Sequence, residues 1–304
     1  MIREEFSFYD IADYLYKNND LLIVGAASED ERSHYLFKEW NARGKDILVA
    51  KRVQDEKLHY SLWQKKSEVC SGCIDLCMGT PKLLQYLNVA QKSVLLDMSS
   101  LDHVLIMFLT KQLVQQVVPR SLFATYIRPE RYVNQVGSIG ISLSTQVQAI
   151  AAVPSFNRRD LGDQTLCAFL GFEGIRLKNV LETVHNVERF IPIIAFPSGT
   201  PQWYNVAMWN SMDTLQSECN DPYVYKCCSE SIFDAVDILE QHIRVNEKVV
   251  LAPLGTRPHS MACALFACKH PHTRIIYDYV VEHQHRAIGI SEITVYHLSA
   301  FLKA

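Results

Sequence analysis

Short apolar runs recur along the chain at intervals that leave room for a helix between them. Leu21-Leu22-Ile23-Val24 is an unbroken apolar run of buried-strand length. It leads through Gly25-Ala26-Ala27-Ser28 and an acidic turn into a helical stretch over residues 31–41. Residues 46–51 read as a second strand, Ser93-Val94-Leu95-Leu96-Asp97 as a third and residues 122–127 as a fourth, with a helix over 102–118 between the last two. Apolar runs of this length, separated by helix-length segments, mark a parallel sheet covered on both faces, where every strand residue meets apolar neighbours. Between Glu130 and Ser144 the pattern gives way to Gly, Ser, Asn and Gln, which predicts a linker.

The rhythm then repeats. Residues 149–153, 191–196 and Val249-Val250-Leu251-Ala252 read as strands, each followed by a polar turn. Helices are expected leading into Phe169, from Pro201 through Met212, over 231–244 and through Ala267, with final strands at 274–279 and 293–298. The pattern predicts an α/β chain of two Rossmann-like halves, residues 1–135 and 145–304, with mostly parallel sheets flanked by helices. A length of 304 residues suits two domains.

Charge argues against one class of function, a dedicated DNA-binding protein. With 30 basic and 33 acidic residues the formal net charge is −3, so no basic excess exists to neutralise a phosphate backbone, although a local basic pocket is compatible with that balance. The segment MIREEFSFYD has neither the basic region nor the apolar core of a signal peptide. No apolar run approaches the ~18–20 residues of a membrane helix. The expectation is a cytoplasmic chain with no membrane partner. Nine cysteines without an export signal read as reduced thiols, and Cys167, Cys263 and Cys268 lie in apolar stretches where a thiol behaves as a small hydrophobe. Cys70, Cys73 and Cys77 contain a C-x-x-C, but a fourth zinc ligand is missing nearby; His59 or Cys227/Cys228 would have to arrive through the fold. No metal and no cofactor are expected.

In open parallel sheets ligands bind beyond the carboxyl ends of the strands, where unsatisfied N–H groups at helix N-termini favour anions. Five polar loops would occupy that edge. They present Ser28, Glu31 and Arg32; Asp97 and Ser99; Ser155 and Arg158; Gly199 and Thr200; and Gly255, Thr256, Arg257 and His259. Glycine lets backbone approach a ligand, hydroxyls donate, and arginine forks onto phosphate. Capping and turn formation use the same residue types, so each loop also has a purely structural explanation. Walker, dinucleotide-fingerprint, nucleophile-elbow and H-E-x-x-H motifs are absent. Glu31, Asp97 and His259 remain the candidates for acid/base work. Residues 280–286, carrying His283 and His285, read as an exposed loop, and Glu173 with Arg176 as a pocket ion pair or a helix-end salt bridge. Trp203 reads as a stacking group or as packing between helix and sheet.

Several of these segments are similar to a group of bacterial proteins found at phage-defence and mobile-element loci. They are the Glu-x-x-Arg opening that ends at Arg32, Leu95-Leu96-Asp97-Met98-Ser99-Ser100, Thr125-Tyr126-Ile127-Arg128-Pro129 before Tyr132, Gly171-Phe172-Glu173, and Ala252 to His259. The resemblance covers most of the chain and brings no activity with it. Gly255-Thr256-Arg257-Pro258 also resembles the glycine-threonine-lysine turn of CRISPR-associated Rossmann-fold (CARF) sensor domains, which bind cyclic oligonucleotides, with Arg257 in place of lysine and His259 where methionine is common. That resemblance makes the second half CARF-like and implies nucleotide-phosphate contacts from Gly255, Thr256 and Arg257. Three readings stand: a defence-associated nucleotide sensor or partner-gated module, with a nucleotide or cyclic oligonucleotide, another defence subunit or a second copy as partner; an enzyme that hydrolyses nucleotides or nucleic acid; and a structural subunit of a complex.

Overall fold

Every residue of the strands Leu21–Gly25, Ser93–Asp97 and Val249–Pro253 is buried, as a sheet covered on both faces requires. The computed structural model describes residues 3–8, 12–26, 30–53, 56–133, 144–158, 162–219, 222–282 and 287–303. In chain order the elements are β1 (Glu5–Phe8), α1 (Ala12–Asn18), β2 (Leu21–Gly25), α2 (Glu31–Arg43), β3 (Asp46–Val53), β4 (Lys57–Gln64), β5 (Ser67–Asp75), α3 (Leu76–Tyr86), β6 (Ser93–Asp97), α4 (His103–Lys111), β7 (Ser121–Ile127) and β8 (Arg131–Tyr132). They continue with β9 (Ser144–Ala152), β10 (Gln164–Leu170), α5 (Gly174–Thr183), β11 (Val187–Ala195), α6 (Pro201–Cys219), β12 (Tyr225–Cys227), α7 (Ile232–His242), β13 (Val249–Pro253), α8 (Arg257–Lys269), β14 (Thr273–Glu282), β15 (Ala287–Ile288), β16 (Ile293–His297) and α9 (Leu298–Lys303). The fold is mixed α/β.

The chain divides into two units: residues 1–131 with 287–304, and residues 132–286. The sheet of the first unit runs β1-β16-β7-β6-β2-β3-β4-β5. Strands β7, β6, β2 and β3 are mutually parallel, and β16, β4 and β5 pair antiparallel to their neighbours. Leu22, Val24, Leu36, Trp40, Leu95 and Ile127 belong to its core. The sheet of the second unit runs β12-β11-β10-β13-β14-β9, with five parallel strands and β9 antiparallel at one edge. Its central strand, β10, sets Cys167 between Ile191 and Leu251. The orders β3-β2-β6-β7 and β11-β10-β13-β14 match in chain sequence, and in each unit an antiparallel strand follows next, β16 beside β7 and β9 beside β14.

Several elements differ from the sequence pattern. Residues 164–170, expected within a helix, form the central strand β10; a short apolar run is equally compatible with a buried strand or a buried helix, and β11 and β13 on either side decide it. Segment 287–304 returns to the first unit, where β16 inserts between β1 and β7. The β4–β5 hairpin had no signal, because its two-residue turn is Lys65-Lys66, both at positive φ, where Asn-Gly would have announced it. Strand β14 runs on through Glu282 where a loop was expected, and residues 283–286 lie outside the described set. The expected linker also lies largely outside it, at 134–143.

Candidate functional site

In the second unit, parallel pairing puts the loops after β10, β11, β12 and β13 on one edge of the sheet. After β10 the chain turns at Gly171, where a Cβ would sit 2.2 Å from the Leu254 carbonyl oxygen; only glycine allows this crossing. Arg176, in the first turn of α5, is buried and grips Asp278 of β14 with two N–H groups, Nη2 lying 2.6 Å from Oδ1, while Nη1 donates to the Leu254 carbonyl at 3.3 Å. Glu173 stands 3.9 Å from the same guanidinium, so the dominant partner is Asp278 rather than the neighbour in sequence. Such a bidentate pair fixes orientation as well as charge. It ties α5, the end of β13 and β14 into one body.

The loop after β13 is closed by its own side chains. Thr256 caps α8: its Oγ1 donates to the Ser229 carbonyl at 2.7 Å and accepts from the His259 N–H at 3.4 Å. The Thr256 N–H in turn donates to His259 Nδ1, which completes a capping box with histidine at the third helical position. With Nδ1 accepting, the ring proton sits on Nε2 and points at the Cys228 carbonyl, 3.2 Å away, beside Cys227 Sγ at 3.4 Å. Burial pushes His259 down to about 4, so the imidazole is neutral at physiological pH with both nitrogens engaged. Gly255 is needed because a Cβ would meet His259 Nδ1 at 2.8 Å. Arg257 is buried in the first turn of α8, and Pro258 follows it.

Gly199 and Thr200 lie in the loop after β11, where Ser198 Oγ donates to the Thr200 carbonyl just before α6 begins. Trp203 in the first turn of α6 packs against Tyr132, centroids 4.9 Å apart, and Tyr132 meets Phe172 of the β10 loop at 5.5 Å. All three rings are half-buried. Ser155 and Arg158 do not join this group. Because β9 runs antiparallel to β14, the loop after it emerges at the opposite edge, where Arg158 bonds to the Pro271 carbonyl ahead of β14.

In the first unit, Arg32, Asp97 and Ser99 share the carboxyl edge of β2, β6 and β7. Arg32 is fully buried; Nη2 pairs with Asp30, the α2 cap, at 2.6 Å, and Nη1 donates to the Ile127 carbonyl at 3.2 Å. Asp97 is buried and its Oδ1 accepts from the Ser99 N–H at 2.9 Å. Ser99 Oγ accepts from the Ile127 N–H, and Ser100 Oγ accepts from the Gly25 N–H. Glu31 is exposed on α2, and Ser28 lies outside the described residues.

Cys70 and Cys73 are exposed on β5 and Cys77 lies on α3; none of the nine cysteines is in a disulfide, and burial pushes the pKa values of Cys167, Cys227 and Cys263 up. Among the described residues no group of three or more His, Cys, Asp or Glu side chains is placed to hold a metal ion. No described helix is long and apolar enough to cross a membrane. Sequence reasoning missed two contributors, Asp278 and the Cys228–Ser229 carbonyls. A lone carboxylate in the apolar run Ile275-Ile276-Tyr277-Asp278-Tyr279-Val280 signals a buried partner; the carbonyls leave no sequence mark. Comparison with protein-family models, with curated proteins and with solved structures finds no match.

Proposed function

We propose that the chain is a nucleotide-responsive regulatory module of a bacterial anti-phage defence system, built of two Rossmann-like units, with its ligand at the carboxyl edge of the second unit's sheet. One observation carries this reading: strand order reverses at β10. The connections lead from β10 outward to β11 and β12, then to β13 and β14 on its other side. The ends of β10 and β13 therefore flank the position where open α/β sheets take their ligands. Gly171 and Gly255 let the two loops cross closely there, and the dipole of α8 with Arg257 supplies positive character. The motif resemblances support the nucleotide and the defence context.

Regulation fits better than turnover. His259 spends both ring nitrogens on the loop, and Arg176 and Asp278 are committed to each other. A ligand that loosens or tightens these contacts would alter the edge that a partner subunit reads. The test is thermal melting of the full chain with mononucleotides, dinucleotides and cyclic oligonucleotides. A binder raises the melting temperature by a few degrees, through ordinary mass action on the folded state. Arg257→Ala removes that shift and Arg257→Lys keeps part of it. A chain whose melting ignores the whole panel contradicts the proposal.

A further inference from the structure

Helix α6 has 19 residues and buries only Ala207, Ser211 and Leu215 among them. Its outward face carries Gln202, Asn205, Trp209, Asp213 and Gln216, all exposed, and Trp209 is 78% exposed. The helix contains no lysine or arginine; its charges are Asp213 and Glu218. A solvated helix face ordinarily carries lysine and glutamate, whereas interface cores are depleted of charge and enriched in tryptophan, as this face is around Trp209.

The face is also symmetric in chemistry about Trp209. Three positions to either side stand Val206 and Met212, both half-buried; four positions away stand Asn205 and Asp213; seven away, Gln202 and Gln216. Offsets of three, four and seven are neighbours on one helix surface. We propose that this face is a homodimer interface, in which α6 of one copy lies antiparallel to α6 of a second across a two-fold axis through Trp209. Trp209 then meets Trp209 of the second copy, and Val206 of each copy packs on Met212 of the other. Each Asn205 amide donates to the other copy's Asp213 carboxylate, and Gln202 and Gln216 exchange amide hydrogen bonds. The antiparallel arrangement also opposes the two helix dipoles favourably. A second copy is the occupant because the row complements itself, as an isologous contact must. A basic partner would find only Asp213 on it.

The experiment is sedimentation velocity on the full chain, without ligand, across a wide concentration range, so its outcome is independent of nucleotide binding. A monomer–dimer equilibrium is expected. Trp209→Ala weakens it by about tenfold or more, as loss of a central aromatic does. Asn205→Asp sets carboxylate against carboxylate and also weakens it. Combining Asn205→Asp with Asp213→Asn restores the donor–acceptor pair in swapped order and recovers dimerisation. These positions are exposed, and unchanged melting temperatures confirm that each variant folds. A chain that stays monomeric throughout, or a dimer indifferent to Trp209→Ala, overturns the proposal; in the first case the face is left to a different protein.

Discussion

The two units build the same crossing with different side chains. After β2 the chain passes Gly25, where a Cβ would lie 1.9 Å from the Ser100 carbonyl oxygen; after β10 it passes Gly171, where a Cβ would lie 2.2 Å from that of Leu254. In each, the helix that follows carries a buried arginine in its first turn that donates to a carbonyl at a later strand's end: Arg32 to Ile127, Arg176 to Leu254. The carboxylate partners differ. Asp30 is two residues from Arg32, on the cap of the same helix, whereas Asp278 is 102 residues from Arg176, on β14. The first pair forms with its helix, and the second only once the sheet has assembled. The neighbouring loop differs too, being held by serine hydroxyls in the first unit and by a threonine–histidine box in the second. Both units thus bury an ion pair at this crossing, but only the second draws its carboxylate from a distant strand and sets a neutral histidine in the adjoining loop. That difference is the reason the proposed ligand is assigned to the second unit's edge.

The largest effect that sharpens this contrast is Asp278→Ala. It leaves a buried guanidinium without its carboxylate and costs about 3–5 kcal/mol, measured by chemical denaturation. Arg176→Met with Asp278→Leu, which removes both charges, recovers most of that loss. If Asp278→Ala costs no more than an exposed substitution, the pair is not the tie described. The next effect is on pH. The folded value for His259, about 4, lies below the ordinary 6.5, so the unfolded chain takes up this proton first. Its contribution is whole above about pH 6.5 and is lost as pH falls from there to about 4, on the order of 3 kcal/mol in all. His259→Gln removes that component, and an identical pH profile for the variant would break the assignment. The corresponding loop of the first unit, Met98-Ser99-Ser100-Leu101, carries no histidine.

Much of the fold was legible because buried parallel strands advertise themselves: Leu21–Gly25, Ser93–Asp97 and Val249–Pro253 are built on short apolar runs, and each is where the pattern put it. Strand direction leaves no such trace. The apolar end of β9 reads only as a strand, yet β9 pairs antiparallel to β14, which carries Ser155 and Arg158 to the far edge. Nor does sequence separate strand from helix in 164–170, where a short apolar segment satisfies both. The Gly255–His259 loop was visible as a strand-to-helix turn, but the hydrogen bonds that occupy Thr256 and His259 come in part from Cys228 and Ser229, about 30 residues upstream.

Amide hydrogen exchange on the full chain, with and without mononucleotide and cyclic-oligonucleotide probes, locates the ligand-responsive edge. Added protection is expected at residues 171–174 and 254–257, with 97–100 unchanged. Protection confined to 97–100, or none in either unit with any probe, would contradict the proposed site.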